Sequence, residues 1–350
     1  MLEFILGNNI HILLKMFSAF WLSLIIYLSC GTKFVDFLHH HQEKGQPIRD
    51  DGPKSHLQKK GTPTMGGALI LFAAIISTLL FADLKNIYVL VCIFVIVAYG
   101  VAGFVDDYEK ITRDSSKAMS AKMKLLVQFC AAFVAVCAIT YATSEDKRYA
   151  LNFPYLIDVT LNLWYFYVPF AIIVIAGASN GVNLADGLDG LASGLLILAF
   201  GAFAVVAYYV GFSDIVYVTK ISGAGEVAVV GSAVVGACLG FLWFNAPKAK
   251  VFMGDTGSLA LGGLLGVLAV LGKFELLLVL IGAVFVCETL SVIIQVASFK
   301  LTGKRVFKMS PIHHHFELSG WSENKIVIVF ALITLISSAL AVALYYFKGH

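Results

Sequence analysis

The stretch IYVLVCIFVIVAYGVAGFVDDYEK, Ile87–Lys110, sets the pattern for the whole chain. Its apolar part ends at two adjacent carboxylates, Asp106 and Asp107, and Lys110 follows shortly after. An apolar run of this length is close to the roughly 20 residues that cross a bilayer core. Charged groups are tolerated where such a run meets water, so a solvated helix end explains the acids as well as a functional site does. Three further loops with acids, amides or histidines favour the functional interpretation.

The composition excludes an ordinary soluble domain. Of 350 residues, 59% are hydrophobic and the mean hydropathy is +0.86. Only 13% are charged, about half the fraction that is usual in a soluble domain. The net charge of +3 is too small to indicate a nucleic-acid partner. The first apolar run leads directly into a basic loop, which favours a retained start-transfer helix over a cleaved signal peptide.

Apolar segments long enough to span a membrane recur along the chain and predict an all-α integral membrane protein. We expect ten transmembrane helices in one domain, 1–350, with both termini on the same side. Lys and Arg concentrate in loops 36–60, 106–124, 245–256 and 300–325. The positive-inside rule therefore places these loops in the cytoplasm and both termini in the periplasm. The ten segments lie near 12–35, 67–84, 87–105, 125–143, 161–178, 190–211, 226–244, 257–273, 275–299 and 326–347.

Two outer segments have simple explanations. Alternating apolar residues between Ser144 and Thr160 predict a short hairpin or an amphipathic turn. The string GAGEVA, Gly223–Ala228, matches a dinucleotide-binding pattern. It lies between spans without a βαβ unit, so we discard it.

The first cytoplasmic loop ends in KKGTPTMGG, Lys59–Gly67. Glycines let backbone N–H groups approach an anion closely. A helix-entry turn with snorkelling lysines is the simpler interpretation, and we favour it. The triplet His39–His41 lies in the same loop without a further ligand at zinc spacing.

The third cytoplasmic loop is SNGVNLADGLDGLA, Ser179–Ala192, with Asn180, Asn183, Asp186 and Asp189. If the chain is helical through this loop, the last three share a face to within a turn. A helix cap explains one of these four residues, but not all of them. The spacing does not match an EF-hand.

The fourth loop, NAPKAKVFMGDTGSLALGG, Asn245–Gly263, carries one acid, Asp255, among small residues at the mouth of a span. Mg²⁺ takes oxygen ligands and few protein carboxylates, so Asp255 fits a metal ligand. An N-cap aspartate is an equally good explanation. Phe252 could stack on a nucleotide base.

The last loop, KMSPIHHHFELSG, contains His313, His314 and His315, which titrate near neutrality and can donate to phosphate. Three consecutive histidines cannot readily surround one tetrahedral zinc ion. In the preceding span, Glu288 shares a helical face with Gln295. Hydrogen bonds between helices and a substrate groove both explain that face.

The cytoplasmic loops together supply carboxylates, lysines, glycine turns and histidines. This set suits Mg²⁺-dependent phosphoryl transfer, which relies on positioning and on the stabilisation of spread negative charge. A site at the membrane border implies a lipid phosphate as one substrate and a soluble cytoplasmic molecule as the other.

The strings GTPTMGG, GFVDDYEK, NGVNLADGLDGLA, NAPKAKVFMGDTGSLALGG and PIHHHFE resemble, in order and spacing, the phospho-N-acetylmuramoyl-pentapeptide transferase family. This family is a branch of the polyprenyl-phosphate N-acetylhexosamine-1-phosphate transferases. The resemblance implies a transfer from UDP-MurNAc-pentapeptide to undecaprenyl phosphate, which gives lipid I and UMP for peptidoglycan synthesis. It also implies Mg²⁺, a bacterial inner membrane location with a cytoplasmic active site, and a homodimer.

By motif, the resemblance assigns Asp255 to Mg²⁺ and Asp106 and Asp107 to the lipid phosphate. The implied catalytic set also contains His313 and His314. The implied substrate-binding residues are Lys59, Lys110, Lys122, Asn180, Asn183, Asp186, Asp189, Asn245, Phe252, Gly254, Gln295 and His315. Whether Asp106 or Asp107 is a base or a covalent nucleophile stays open.

Two other functions remain alternatives. A sister enzyme that transfers GlcNAc-1-phosphate to the same lipid shares the reaction class. A transporter would fit the number of spans, but transporter sites usually lie at the bilayer midplane. Here the charge lies at one face.

Overall fold

The computed structural model describes residues 10–42, 45, 59, 61–113, 119–153, 159–212, 221 and 223–347, and these residues are mostly helical. Helices follow from the composition, because a backbone in lipid must satisfy its own hydrogen bonds. The helices are α1 (Ile10–His41), α2 (Gly67–Phe81), α3 (Ile87–Thr112), α4 (Ala121–Ala142), α5 (Tyr167–Ala185), α6 (Leu191–Phe212), α7 (Val227–Asn245), α8 (Gly254–Gly272), α9 (Glu275–Ile281), α10 (Ala283–Thr302), α11 (Ile312–Glu317) and α12 (Glu323–Phe347).

Membrane spans account for most of these helices. Among the described residues, nine helices are long and apolar enough to cross a membrane. A tenth apolar helix, α2, has only 15 residues. The expected continuous span over 275–299 is wrong, because α9 ends at Ile281 and α10 begins at Ala283. Gly282 separates the two helices, and glycine is a poor helix former because of its backbone freedom.

The core is built around α8. Every residue of this helix is buried, and it packs against α3 and α5. A Cβ built on Gly262 would lie only 2.7 Å from the Cα of Ser179 in α5. Small residues let membrane helices approach this closely, which strengthens their van der Waals contact. The central position of α8 fixes its N-terminal residues relative to the neighbouring helices.

The segment predicted as the third cytoplasmic loop is partly helical. Helix α5 includes Asn180 and Asn183 and ends at Ala185, so the chain is not helical from Asn183 through to Leu191, and the condition for a shared helical face is not met. Residues 186–190 form a turn in which Gly190 has φ of +75°. A left-handed residue cannot continue an α-helix, and glycine adopts that conformation without a steric penalty.

The short hairpin predicted for this segment is confirmed, and its outer location stays a prediction. Strand β1 (Ala150–Asn152) pairs antiparallel with β2 (Thr160–Asn162), and Leu151 lies opposite Leu161. Pro154, which belongs to the same predicted segment, lies outside the described residues. The discarded GAGEVA string forms a short 3₁₀ turn and the start of α7, so it is not part of a nucleotide-binding βαβ unit.

Candidate active site

Four helices meet at one end of the bundle, two by their C-terminal parts and two by their N-terminal turns. The C-terminal parts of α3 and α5 meet the N-terminal turns of α4 and α8. Two contacts fix this arrangement: Lys124 of α4 lies 3.0 Å from Asp106 of α3, and Asn183 of α5 donates to Asp255 of α8 over 2.7 Å. The polar residues of several loops therefore converge at one end of the bundle.

Three carboxylates form the centre of this site. Asp106 and Asp107 lie on α3, Asp255 lies in the first turn of α8, and all three are largely buried. One oxygen from each lies within 4.8 Å of the others. Hard oxygen donors this close together suit Mg²⁺, which binds through one or two carboxylates and completes its shell with water and substrate phosphate.

Two lysines balance the charge of the carboxylates. Lys110 Nζ lies 2.7 Å from Asp106 Oδ2 and 3.1 Å from Asp255 Oδ2. Lys124 Nζ lies 3.0 Å and 2.6 Å from the same two oxygens. The lysines therefore bridge α3 and α8, and they place positive charge where a phosphate would enter.

Lys124, which the sequence did not single out, contacts the carboxylates, and substrate binding by Lys122 stays a prediction. Lys122 is exposed, whereas Lys124 reaches the carboxylates. Residues two apart on a helix face nearly opposite sides, so only one of the two can face the site. The sequence contains a pattern that favours Lys124 over Lys122 as the residue facing the site. Gln128, one turn after Lys124, is a polar residue in an apolar run, and it is buried.

Asp107 acts as a cap for α8. Its Oδ2 accepts the Thr256 N–H over 2.9 Å and the Thr256 hydroxyl over 2.8 Å, and its Oδ1 accepts the Asp255 N–H over 3.1 Å. An anion at a helix N-terminus is stabilised by the free N–H groups and by the helix dipole. The sequence suggested Asp255 as a possible N-cap, but the capping carboxylate comes from α3.

Two glycines allow this close approach. A Cβ on Gly103 would lie 2.2 Å from the Asp255 carbonyl oxygen. Gly254 has φ of +75°, and a Cβ there would lie 2.6 Å from Asp107 Oδ2. A larger residue at Gly103 would separate the two helices that carry the carboxylates. Gly254, predicted to bind substrate, therefore shapes the site through its backbone.

The turn 186–190 brings a fourth carboxylate to the cluster. Asp186 lies beside the Gly254 N–H and close to Asp255 and Asp107. Burial, followed by the charges of Asp255 and Asp107, raises the pKa of Asp186 to about 7. The same turn carries Asp189, whose Oδ2 accepts the Ala249 N–H over 3.0 Å. The turn is thus held against the segment that leads into α8.

Lys59 joins this turn to the last helix. Its Nζ lies 2.9 Å from Asp189 and 2.7 Å from Glu323 at the start of α12. Burial lowers the pKa of Lys59, but the Glu323 and Asp189 carboxylates outweigh that effect and the net pKa is raised. Lys59 therefore stays charged.

The glycines of the first loop pack against the chain before α8. Gly66 N–H donates to the Phe252 carbonyl over 2.8 Å, and Gly67 N–H donates to the Met253 carbonyl over 2.9 Å. These two N–H groups are therefore not available to an anion. Phe252 is half-buried, and its own N–H donates to the Pro63 carbonyl.

The three histidines have three different partners. His313 Nδ1 lies 3.0 Å from Glu288 Oε1, and His314 Nδ1 lies 2.6 Å from Glu317 Oε2. His315 Nδ1 accepts the Lys308 N–H over 3.1 Å. Each of the three rings is therefore held by a different residue.

Two predicted substrate-binding residues are engaged within the protein. Asn245 accepts the Gly190 N–H over 3.0 Å and donates to the Val251 carbonyl over 2.9 Å. Gln295 accepts the Phe307 N–H and donates to the Phe307 carbonyl, both over 2.9 Å. Both side chains therefore hold the chain around the site, and their contact with substrate stays a prediction.

Asn180 has a polar partner that the sequence did not suggest. Its side-chain amide donates to Gln128 Oε1 over 2.7 Å and to the Ala176 carbonyl over 2.8 Å. It therefore links α5 to α4 beside the lysine pair.

Comparison with known proteins identifies relatives. A protein-family model described as Glycosyl transferase family 4 matches residues 86–273. A second family model, Phospho-N-acetylmuramoyl-pentapeptide-transferase signature 1, matches residues 59–71. A phospho-N-acetylmuramoyl-pentapeptide-transferase of Rickettsia africae (strain ESF-5) is 48% identical over 323 residues. The alignment covers 90% of this chain and 89% of the relative. The first match includes the three clustered carboxylates and both bridging lysines.

Proposed function

The chain belongs to the phospho-N-acetylmuramoyl-pentapeptide transferase family, and we propose that its carboxylate cluster is the site of phosphoryl transfer. Its activity is the transfer of phospho-MurNAc-pentapeptide to a polyprenyl phosphate in peptidoglycan synthesis. The observation that carries the site assignment is the meeting of Asp106, Asp107 and Asp255 with two lysines at one end of the bundle.

In the proposed reaction, an oxygen of undecaprenyl phosphate attacks the β-phosphorus of UDP-MurNAc-pentapeptide. The bond between that phosphorus and the bridging oxygen breaks, and UMP leaves with the bond's electron pair. Lys110 and Lys124 offset the negative charge that the two phosphates bring together. Asp106 lies between the two lysines and orients the lipid phosphate or accepts its proton.

We assign Mg²⁺ to Asp255, with Asp107 and Asp106 beside it. The donor set supports this assignment, since carboxylate oxygens are the ligands that Mg²⁺ prefers. When bound, the ion supplies positive charge that stabilises the transferring phosphoryl group. Asn183, which donates to Asp255 Oδ1, holds that carboxylate in one orientation.

We assign the nucleotide part of the substrate to the turn 186–190 and Phe252. Asp186 and Asp189 supply acceptors for sugar or base donors, and the exposed part of Phe252 offers a stacking face. Lys59 and His313–His315 border this region, with Lys59 held between two carboxylates. Direct covalent attack by Asp107 is disfavoured by its position, because both oxygens accept hydrogen bonds from α8.

The substrate is tested by UMP release. Purified protein is incubated with undecaprenyl phosphate, Mg²⁺ and either UDP-MurNAc-pentapeptide or UDP-GlcNAc. We expect UMP only with the first nucleotide sugar. UMP release from UDP-GlcNAc alone would identify the sister activity, and uptake without UMP would indicate a transporter. Activity that persists unchanged in EDTA would remove Mg²⁺ from the proposal.

We further propose a single domain in the bacterial inner membrane, with the site facing the cytoplasm and both termini outside. Among the described residues, a large hydrophobic cluster that runs from Tyr27 to Tyr345 supports the single domain, beside a small one around Ile12 and Val229. The basic residues at the site end of the bundle support the orientation, by the positive-inside rule. A homodimer rests on family resemblance, and the mass of the protein in detergent or nanodiscs tests it.

A further inference from the structure

Helix α10 carries a buried carboxylate away from the carboxylate cluster. Glu288 is 0% exposed in a helix that is long and apolar enough to span the membrane. A carboxylate inside a membrane span carries a large desolvation penalty and is a functional candidate by default. Its partner comes from α11, where His313, also buried, places Nδ1 3.0 Å from Glu288 Oε1.

The other side of the histidine ring lies against the turn 186–190. A Cβ built on Gly187 would lie 2.4 Å from His313 Nε2 and 2.9 Å from Cε1. Only glycine therefore lets the ring and the turn come this close. The chain of contacts runs from Glu288 through His313 to Gly187.

Packing alone is a poor explanation for this pair. Among the described residues, neither His313 Nε2 nor Glu288 Oε2 has a hydrogen-bond partner. A buried polar atom without a partner destabilises the folded state, because it has lost its hydrogen bonds to water. Two such atoms offset much of what one hydrogen bond contributes to stability. The contact between Glu288 and His313 is therefore better explained by the segment that the His313 ring packs against.

The ring supports the part of the proposed site that carries Asp186 and Asp189. These acids lie on either side of Gly187 in the same turn. Asp186 faces the carboxylate cluster, and Asp189 pairs with Lys59. A shift of the ring would move Gly187, and both acids would move with it.

We infer that Glu288 is a positioning residue: its hydrogen bond to His313 holds the ring beneath Gly187 and fixes the turn that receives the nucleotide part of the substrate. This inference rests on the proposed function. The hydrogen bond, rather than the charge of Glu288, is the essential feature, since an amide oxygen at this position can accept the same Nδ1–H.

Three variants test the inference. Glu288→Ala removes the acceptor, Glu288→Gln keeps it, and Ser291→Ala is a control on the same helix face whose hydroxyl donates to the Glu288 backbone carbonyl. UMP release is measured while each substrate is varied in turn. We expect Glu288→Ala to raise the KM for UDP-MurNAc-pentapeptide about tenfold, the equivalent of one hydrogen bond. The KM for undecaprenyl phosphate should be unchanged, and Glu288→Gln and Ser291→Ala should behave like the wild type.

An unchanged nucleotide KM in Glu288→Ala, an equal rise in both KM values, or a Glu288→Gln variant as impaired as Glu288→Ala would each overturn the inference. Gly187→Ala tests it from the other side, because the added methyl group displaces the ring. Its effect and that of Glu288→Ala should be less than additive in the double variant. If the wild type releases no UMP, the proposed function fails, but the inference is still testable. The Kd values of the wild type and the same variants for UDP-MurNAc-pentapeptide then decide it.

Discussion

At the residue scale, the site depends on which lysine faces the carboxylates. We predict that Lys124→Met lowers kcat at least about a hundredfold, because Asp106 and Asp255 would lose a buried partner and the phosphates a counter-charge. Lys122→Met is the matched control, since Lys122 is exposed two residues earlier. UMP release by both variants measures the effect. Equal losses, or a greater loss in the Lys122 variant, would return the role to Lys122.

Asp107 belongs to the proposed site and also caps α8. We predict that Asp107→Asn lowers both activity and thermal stability, because an amide NH₂ would face the N-terminal N–H groups of α8 that the carboxylate now accepts. Loss of a helix cap costs about 1–2 kcal/mol. Thermal unfolding and UMP release are measured on the same preparation. A variant with wild-type stability and no activity would show that the cap contributes little.

Asp186 gives the protein a pH-dependent stability. Its pKa is raised to about 7, so the folded state favours the neutral carboxyl, whereas the unfolded carboxyl ionises near about pH 4. Ionised Asp186 therefore opposes folding increasingly from about pH 4 to 7 and constantly above that range. We predict that Asp186→Asn stabilises the protein, most strongly at pH 8 and only slightly at pH 4.5. Thermal unfolding in EDTA, without substrate, checks this. A gain that is equal at both pH values would contradict the assignment.

The sequence identified the residue types of the site better than their partners. The acids at 106, 107 and 255 and the lysine at 110 stand at span borders, where local sequence alone marks them as unusual. The capping of α8 by Asp107 joins residues about 150 positions apart, and no local pattern encodes such a contact. The resemblance implied that Asn245 and Gln295 bind substrate, and a motif could not show that both also form hydrogen bonds within the protein.

At the element scale, apolar length predicted most spans, but breaks within them were harder to see. Segment 275–299 is apolar almost throughout, so hydropathy gave no reason to divide it at Gly282. Helix α5 ends at Ala185 because Asp186 leaves the helical conformation, with ψ of +50°, and no local pattern in the sequence announces that change.

The contact between α3 and α8 gives a prediction at this scale. Gly103→Ala places a methyl group 2.2 Å from the Asp255 carbonyl oxygen, so the two helices must separate. We expect loss of activity and destabilisation of about 1–3 kcal/mol. Gly194→Ala in α6 is the control, because its Cβ would meet nothing within 4 Å and its φ is ordinary. Alanine there should be neutral or stabilising by about 0.5–1 kcal/mol. Unfolding midpoints of the two variants should therefore move in opposite directions.

At the scale of the whole molecule, the charged residues separate toward the two ends of the bundle. The site end carries Lys59, Lys110, Lys122 and Lys124, and the hairpin end carries Glu145 and Asp146, followed by Lys147 and Arg148. Helix α4 joins the two ends, since Lys122 lies in its first turn and Glu145 follows its last residue. The orientation of this one helix therefore fixes the side on which the carboxylate cluster lies.

This arrangement predicts opposite accessibility for two exposed positions. Lys122→Cys and Glu145→Cys are each made in a background without the six native cysteines, and a membrane-impermeant maleimide is applied to intact cells and to inverted vesicles. Basic loops stay in the cytoplasm, so we expect Lys122→Cys to react only in inverted vesicles and Glu145→Cys only from the outside. Because Lys122 lies on the same first turn as Lys124, its labelling reports the side of the phosphoryl-transfer site. The reverse pattern would place the carboxylates outside the cell, where a cytoplasmic nucleotide sugar cannot reach them, and the proposed orientation would fail.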